Sequence, residues 1–458
     1  MHSEINQQYP IAAIATPVGE GGIAVIRISG KDSIKKVNKA FHGKDLSKQE
    51  SHTVHFGKIV DRKELPVDEV LVTLFHLPRS YTGEETVEIS CHGGVLVTQK
   101  VLETILELGV RSAVAGEFTQ RAFLNGKLDL DQAEAVADLI HAKSLKAVDA
   151  AHQQLEGRLG EHVKKFRQQI IDATAMVELE LDFIEEDVEF ANKEQLQKLL
   201  EDVDSEISSL LETYETGRLV KDGVKTVLIG RPNAGKSTLL NTLVGSDRAI
   251  VTDIAGTTRD TIDVDCNFDG LLFKLIDTAG LRETEDIVEA EGVKRSQKAF
   301  EQADLVIYLK DLSHAFSDEE RTEIAEFQKR AGESPFILIG TKADIEADQE
   351  WRIEFDLKIS ATEGEQIDEL KKLLKDRALE NKHYDASSLL VTSTRHRDAL
   401  QKAQEQVRAA LQSLAQGMTG DFLSIDLRAA LNELGTITGE ITNEHILDSI
   451  FSRFCIGK

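Results

Sequence analysis

The sequence predicts a multidomain α/β protein, with a small N-terminal α+β domain and an α/β domain inserted into a discontinuous all-α helical domain. Its 458 residues exceed what one hydrophobic core usually serves. From Lys225 to about His383, β-branched runs alternate with helical patterns, which is typical of a mostly parallel sheet. Proline-free segments with helical periodicity lie on both sides of this region. We therefore expect the two flanking segments to form one interrupted domain.

The N-terminal region contains short apolar runs and one longer amphipathic segment. The segment Leu96–Leu108 predicts a helix. The runs predict four strands, at Gly22–Ser29, His52–Val60, Glu69–Phe75 and Glu85–Cys91.

Two longer stretches have the periodicity of amphipathic helices. From Leu128 to Thr216 the only glycines are Gly157 and Gly160, and apolar residues recur on one helical face. The tail Ser393–Phe454 shows the same pattern. The predicted domain limits are 1–124 for the N-terminal domain, 125–220 and 384–458 for the helical domain, and 221–383 for the inserted domain.

Composition excludes several classes of protein. With 41% apolar and 29% charged residues, the chain is globular and not disordered. Its net charge of −26 opposes general binding to nucleic acid, so any RNA contact is local or made through a partner. The apolar stretch Ile11–Ala15 is too short for a membrane span or a secretion signal, so we expect a cytoplasmic protein. Three widely separated cysteines, Cys91, Cys266 and Cys455, predict no disulfide framework.

A phosphate-binding loop follows the first strand of the inserted region. Strand Thr226–Ile229 leads into G-R-P-N-A-G-K-S at 230–237, and a helical pattern begins at once. Backbone N–H groups and the helix N-terminus would bind phosphates, while Lys236 reaches the β and γ oxygens and Ser237 ligates Mg²⁺. The predicted contacts are Asn233, Ala234, Gly235, Lys236, Ser237 and Thr238.

Two later strand ends supply the remaining nucleotide contacts. After Leu271–Ile276 come Asp277, Thr278, Ala279 and Gly280, which predict a magnesium-shell carboxylate and a γ-phosphate sensor. In T-K-A-D at 341–344, Asp344 would accept from a guanine edge, and Ser360 and Ala361 would pack against the base. The order of these motifs predicts a GTPase and not an ATPase, with contacts from Thr341, Lys342, Ala343 and Asp344.

One residue departs from the usual guanine motif. Thr341 stands where asparagine is common, and its shorter side chain predicts the loss of a tether to the phosphate loop, and hence weak nucleotide affinity.

Hydrolysis needs a device other than the glutamine of Ras-like enzymes, because Leu281 occupies that position. One candidate is a carboxylate among Glu283, Glu285 and Glu289. The other is a monovalent cation beside the phosphates, for which Asn233 offers a side-chain oxygen. The segment 251–260 also supplies two hydroxyls, of which Thr258 is the preferred magnesium ligand.

With these motifs in place, the chain resembles the tRNA modification GTPases called MnmE or TrmE over essentially its whole length. The GTPase motifs occur in many relatives, whereas the C-terminal motif is specific to the family. The motifs that carry the resemblance are G-I-A-V-I-R-I-S-G at 22–30, Y-T-G-E at 81–84, G-E-F-T-Q-R-A-F-L-N-G-K-L-D-L at 116–130, the phosphate loop, G-T-T-R-D at 256–260, D-T-A-G-L-R at 277–282 and C-I-G-K at 455–458.

The resemblance implies a Ras-like P-loop GTPase domain, an N-terminal domain for dimerisation and tetrahydrofolate binding, and a helical domain carrying the C-terminal motif. It implies a homodimer that acts with an FAD-containing partner, MnmG (GidA), in a hetero-oligomer. Together they would add an aminomethyl or carboxymethylaminomethyl group to carbon 5 of the tRNA wobble uridine. The implied cofactors are GTP, Mg²⁺, K⁺ and a 5-formyl or 5,10-methylene tetrahydrofolate.

Residue roles also follow from the resemblance. Asn233 would hold K⁺ with Thr252, Ile254 and Thr257, and Glu289 would position the attacking water. Ser237 and Thr258 match the magnesium ligands. The rest of the segment 251–260, Asp253, Ala255 and Gly256, would belong to the same nucleotide and cation site. The implied folate contacts are Arg27, Glu84, Lys127 and Lys458.

Without the family, several of these residues have ordinary interpretations. Arg27, Glu84 and Lys127 fit a strand face and two turns at the surface. Cys455 has no neighbour in sequence that would lower the pKa of its thiol, so it is a structural cysteine by local chemistry and a contributor to the modification by resemblance. Cys91 and Cys266 fit strand packing.

Two other functions stay open at this level. One is a regulatory GTPase of ribosome assembly, although the acidic chain lacks a basic RNA-binding appendage. The other is a folate enzyme in which the GTPase domain is only a structural insert.

Overall fold

The computed structural model describes residues 9–182, 193–247, 263–277, 297–345, 354–380 and 388–458. The chain divides into two compact units. The first comprises residues 1–137, 154–200 and 405–458, and the second comprises residues 138–153 and 201–404.

A seven-stranded sheet dominates the N-terminal part of the first unit. Its order is β3-β4-β5-β6-β2-β1-β7, and all pairs are antiparallel except the parallel pair β1–β7. Helix α2 packs on it with buried Val101 and Ile105. The strands are β1 Ile11–Ile14, β2 Ile23–Ser29, β3 Phe41–His42, β4 Thr53–Val60, β5 Pro66–Phe75, β6 Thr86–His92 and β7 Arg111–Ser112, and the helices are α1 Ser33–Asn38, α2 Val95–Leu106 and α3 Glu117–Leu124.

The four predicted strands and the predicted helix are confirmed, with boundaries that agree within three residues. Prediction missed the shorter elements, because stretches of two to eight residues give no measurable periodicity. Cys91 is buried on β6, and burial raises the pKa of its thiol, which confirms it as strand packing.

Helices occupy both stretches predicted to be helical. They are α4 Leu130–His141, α5 Leu145–Leu155, α6 Arg158–Asp182, α7 Lys193–Glu212 and α8 Tyr214–Asp222, and, after the inserted region, α12 Thr394–Ala415, α13 Gly420–Thr438 and α14 Glu444–Phe451. Gly157 separates α5 from α6, since its φ of +80° is a conformation that favours glycine. The boundaries between the two units fall inside α4, α5, α7 and α12.

The second unit contains a six-stranded sheet of order β13-β12-β11-β8-β10-β9. All pairs are parallel except β9–β10, which a turn at Asp269 and Gly270 joins as an antiparallel hairpin. The prediction of a mostly parallel sheet is confirmed. The elements are β8 Val224–Gly230, α9 Lys236–Asp247, β9 Asp263–Phe268, β10 Leu271–Asp277, β11 Leu305–Asp311, α10 Asp318–Ala331, β12 Phe336–Thr341, β13 Leu357–Lys358 and α11 Ile367–Ala378.

The core of this sheet explains its strand pattern. Strands β8, β11 and β12 are buried on both faces, so they read as continuous apolar runs. Cys266 on β9 is completely buried beside Phe268 and Phe273, which confirms it as packing. Parallel strands bring their carboxyl ends to one edge, where such sheets bind ligands. The phosphate loop and residues 341–344 therefore start from the same edge.

No helix among the described residues is long and apolar enough to cross a membrane.

Candidate functional site

The phosphate loop has the backbone conformation that its sequence predicts. It joins the end of β8 to the start of α9, and its chain has φ values of +63° at Asn233 and +89° at Gly235. Asparagine and glycine tolerate such values better than other residues do. The side chains of Asn233, Ser237 and Thr238 are exposed, so they are accessible to a bound nucleotide and its ions.

Lys236 folds back over this loop. Its Nζ atom lies 2.6 Å from the carbonyl oxygen of Gly230 and 3.2 Å from that of Arg231. The ammonium group is thus bonded to neutral carbonyls of the loop. A bound polyphosphate would offer it charged oxygen acceptors, which form stronger hydrogen bonds.

Thr341 is tied directly to the phosphate loop, so the predicted loss of this tether is wrong. Its buried hydroxyl lies 2.8 Å from the carbonyl oxygen of Ala234, to which it donates, and 3.1 Å from that of Lys310. The hydroxyl reaches because β12 ends close to the loop: a Cβ atom built on Gly235 would lie 3.7 Å from the Cβ of Thr341. The shorter side chain therefore suffices, and the reason for expecting weak nucleotide affinity disappears.

The other residues of the predicted guanine motif follow β12 or β13. Asp344 and Ala343 are exposed after β12, and the N–H of Ala343 donates to the carbonyl of Ile359 at 3.0 Å. Ser360 is buried, and the hydroxyl of Thr242 on α9 donates to the carbonyl of Ala361 at 2.9 Å. Both candidate base-binding segments are thus hydrogen-bonded to the loop and helix that would bind phosphate.

Lys342 has a fixed position within this motif. Its φ is +59°, and its Nζ atom lies 2.5 Å from Oδ2 of Asp311 at the end of β11. Burial raises the pKa of Asp311, but hydrogen bonds from Lys342 and Ser313 outweigh burial and hold this pKa below its ordinary value. The ion pair connects the ends of two neighbouring parallel strands.

Several predicted contacts lie outside the described residues. Asp277 is the last residue of β10 and pairs with Leu228 of β8, which places its backbone beside the strand that precedes the phosphate loop. The predicted residues outside the described ranges are Thr252, Asp253, Ile254, Ala255, Gly256, Thr257, Thr258, Thr278, Ala279, Gly280, Leu281, Glu283, Glu285 and Glu289.

A second group of predicted residues meets in the first unit, around Arg27 on β2. The guanidinium donates to Glu88 at 2.8 Å and lies 5.4 Å from the ring centre of Tyr81 and 5.8 Å from that of Phe118. Arg27 is therefore held by one carboxylate and two aromatic rings and is not an ordinary surface arginine.

Glu84 lies beside the same strand. Ser29, two residues after Arg27, donates to its Oε2 atom at 2.8 Å, and Arg121 donates to both carboxylate oxygens. Lys127 packs against the adjacent Gly83, and its exposed Nζ lies 3.3 Å from the carbonyl of Pro78. The turn at 81–84 thus holds two of the predicted residues together.

The C-terminal motif reaches this group within the same unit. Ile456 forms an antiparallel bridge with Ala115, and Gly457 lies so close to the carbonyl of Ile14 that a Cβ atom there would be 2.2 Å from its oxygen. Burial and repulsion from Arg27 lower the pKa of Lys458, while Glu88 and Cys455 oppose this effect. Cys455 itself is exposed, so it is not a buried structural cysteine.

Prediction from sequence missed the residues that organise this group. Glu117 and Arg121 are both completely buried and form an ion pair at 3.1 Å. Their spacing of four residues in G-E-F-T-Q-R is the spacing of a helical ion pair, so a signal was available. Their burial could not be read from it.

Known proteins are similar to this chain over nearly its full length. Residues 10–127 match the family described as GTP-binding protein TrmE N-terminus, and residues 130–455 match the MnmE helical domain. The chain is 47% identical to the tRNA modification GTPase MnmE of Salinibacter ruber, over 99% of this chain and 100% of that protein. It is 43% identical to the tRNA modification GTPase MnmE of Christiangramia forsetii, over 98% of this chain and 99% of that protein.

Solved structures give a weaker likeness. The G domain of the FeoB iron transporter of T. maritima is 26% identical, with 34% of this chain and 98% of that chain covered and a TM-score of 0.27. The predicted multidomain α/β fold class is confirmed by the two matched families together with the two sheets described above.

Proposed function

Because the chain belongs to the MnmE (TrmE) family of tRNA modification GTPases, we propose that its GTP hydrolysis drives a modification at carbon 5 of a tRNA wobble uridine. The chain is a GTPase that acts in tRNA modification. The observation that supports the nucleotide assignment is the direct hydrogen bonding of Thr341 to Ala234 and of Thr242 to Ala361, which joins the candidate base-binding segments to the phosphate loop and to α9.

In this proposal, water attacks the γ-phosphorus of GTP, and the bond to the β–γ bridging oxygen breaks to give GDP and inorganic phosphate. Lys236 offers its charge to the β and γ oxygens, for which it would leave the carbonyls of Gly230 and Arg231. Asp344 accepts from the guanine edge. Ser237 and Thr258 would hold Mg²⁺, which would neutralise charge on the phosphate oxygens, and Glu289 would orient the water.

Potassium completes the proposed site. Asn233, which is exposed in the loop, would hold K⁺ together with Thr252, Ile254 and Thr257. A cation there would stabilise the charge of the transferring phosphoryl group, an effect worth about 10³–10⁵ in rate where an arginine supplies it.

We place the one-carbon donor, a 5-formyl or 5,10-methylene tetrahydrofolate, in the first unit. Two observations support this site: Arg27 and Lys458 bring two positive charges together, and Glu84 is a fixed hydrogen-bond acceptor nearby. A ligand with carboxylates and with N–H donors on an aromatic ring suits these groups. Lys127 packs against Gly83, which precedes Glu84, and Cys455 is close enough to Lys458 to act on its pKa. The exposed thiol of Cys455 would take part in the modification chemistry.

We further propose that the enzyme is a cytoplasmic homodimer that works with the FAD-containing protein MnmG (GidA). The added group would be aminomethyl or carboxymethylaminomethyl.

The experiment that tests this function is nucleoside analysis of tRNA by mass spectrometry. Cells without the gene should lose the modified wobble uridine, and the wild-type gene should restore it. The Lys236→Ala gene should not restore it, because the modification requires GTP hydrolysis. If tRNA from the deletion strain is unchanged, the proposed modification is wrong; if Lys236→Ala restores it fully, the GTPase domain is only a structural insert.

The cation role has a separate test. Exchange of K⁺ for Na⁺ at equal ionic strength should slow GTP hydrolysis by the purified protein, and Asn233→Ala should remove the difference between the two salts. Equal rates of the wild-type protein in both salts would contradict a potassium site at Asn233.

A further inference from the structure

We propose that Arg121 is a positioning residue, which fixes the carboxylate of Glu84 for recognition of an N–H donor on the ring of the bound folate. The inference rests on the proposed function, because it takes Glu84 as a folate contact. It adds Arg121, which is not among the predicted folate contacts.

Arg121 binds both carboxylate oxygens of Glu84. The Nη1 atom of Arg121 lies 3.2 Å from Oε1 and 3.3 Å from Oε2 of Glu84, and the Ser29 hydroxyl lies 2.8 Å from Oε2. Arg121 is completely buried, whereas the Glu84 side chain keeps 16% of its surface exposed. A rigid, buried donor therefore sets the orientation of a partly accessible acceptor.

The other side of the guanidinium is also anchored. Its Nη2 atom donates to the carbonyl of Tyr9 and to Oε1 of Glu117, both at 3.1 Å. Glu117 also binds Arg111 and the N–H of Val114. Burial raises the pKa of Glu117, but these hydrogen bonds and the charge of Arg121 outweigh burial and hold the pKa below its ordinary value.

The network is balanced in charge, with two guanidinium groups and two carboxylates. A buried ion that lost its partner would be costly, so the completely buried Arg121 and Glu117 hold each other in place. One side of the Arg121 guanidinium is thus hydrogen-bonded to Tyr9 and Glu117, and the other side donates to Glu84.

This arrangement leaves a defined acceptor on Glu84. A carboxylate accepts about four hydrogen bonds, and Arg121 and Ser29 use about three of these positions. Among the described residues, the position of Glu84 that accepts no hydrogen bond lies on Oε1, and an N–H group of a heteroaromatic ring can bind there. Ser29 follows Arg27 by two residues on β2, so both face the same side of the sheet as alternate residues of one strand.

The test measures the dissociation constant of 5-formyltetrahydrofolate for the full-length protein by calorimetry. Arg121→Lys keeps the charge but not the planar fork, so we expect the dissociation constant to rise about 10- to 100-fold. Glu84→Gln should weaken binding by a similar factor. In the Glu84→Gln background, Arg121→Lys should add less than about twofold, because the two residues act as one unit.

Two variants separate positioning from a general loss of stability. Arg111→Lys disturbs the same network at Glu117 without touching Glu84, and it should leave the dissociation constant unchanged. Ser29→Ala removes the donor to Oε2 together with the hydroxyl's contacts to Thr82 and Thr86, and it leaves Arg121 in place. It should weaken binding about three- to tenfold even if Arg121→Lys does not fold. The rate of GTP hydrolysis should be unchanged in Arg111→Lys, which serves as the control for integrity.

The outcomes distinguish the inference from the proposed function. If the wild-type protein does not bind the folate, the folate site itself is wrong. If the wild type binds and Glu84→Gln weakens binding, but Arg121→Lys and Ser29→Ala bind like the wild type, then only the positioning role is overturned. Equal losses from Arg121→Lys with and without Glu84→Gln, or an equal loss from Arg111→Lys, would also overturn it.

Discussion

The group of residues around Glu84 and the phosphate loop are stabilised in opposite ways. Around Glu84, buried side chains of opposite charge form ion pairs with one another. In the phosphate loop, the side chains are mostly exposed, and positive φ values at Asn233 and Gly235 define the shape of the backbone. Lys236 donates to loop carbonyls, and the phosphates of a bound nucleotide would replace these carbonyls as its acceptors. The first site is prepared by charge pairs before any ligand binds, whereas the second is prepared by backbone conformation and completed by its ligand.

The difference has a physical consequence for mutation. A change in the first site disturbs buried charge and close packing, and therefore affects both stability and binding. A change at an exposed residue of the second site affects binding and catalysis with little effect on stability.

The largest effect is expected at Lys236. Lys236→Ala should reduce the rate of GTP hydrolysis by about 10²–10³-fold, because a preorganised positive group at the phosphates is lost. Folate affinity and the melting temperature should stay near the wild-type values. The control is Lys329→Ala, which removes an exposed lysine of α10 in the same unit. A large drop in melting temperature would contradict the claim that this loop is held by its backbone.

Close packing at the C-terminal motif gives the next effect. Gly457→Ala should raise the dissociation constant of 5-formyltetrahydrofolate at least about tenfold and cost about 1–3 kcal/mol of unfolding free energy, since Gly457 has a φ of +104° and touches the Ile14 carbonyl. Gly417→Ala is the matched control, with a φ of +66° and no atom within 4 Å of the new Cβ. GTP hydrolysis should be unchanged. If both variants bind folate equally well, folate binding does not depend on the observed position of the C-terminal motif and its Lys458.

The tether at Thr341 gives a smaller effect. Thr341→Val keeps the shape of the side chain but leaves the Ala234 carbonyl without this donor, so GTP affinity should fall about tenfold. Thr322→Val, at an exposed site on α10, is the control. Titration with a fluorescent GTP analogue measures both variants. Unchanged affinity in Thr341→Val would show that the hydroxyl is not a working tether.

The smallest effect concerns pH. The folded-state pKa of Asp311 is lowered, so its ion pair stabilises the protein above the pKa of the unfolded state, about 4. This contribution is lost as the pH falls through the folded-state value. Asp311→Asn should therefore cost less than about 1 kcal/mol at pH 7, and the difference from wild type should shrink below about pH 4. Denaturant unfolding at several pH values measures this, and a constant difference across the range would contradict it.

Sequence patterns predicted the phosphate loop, the mostly parallel sheet and the long helices. Each of these depends on local chemistry: glycine at positive φ in the loop, continuous apolar runs in strands buried on both faces, and helical spacing of leucines. The motifs also singled out Arg27, Glu84 and Lys127 as candidate folate contacts, but only by resemblance, because each has an ordinary surface interpretation in isolation.

The tertiary structure decided the distances between segments that are far apart in sequence. It brought β12 close enough to the phosphate loop for the Thr341 hydroxyl to reach Ala234, which residue size alone had excluded. It also buried Arg121 between Glu84 and Glu117, and brought Lys458 to Arg27. Backbone preferences act over a few residues and can be read along the chain, whereas burial and charge pairing depend on which surfaces meet, and only the folded chain determines that.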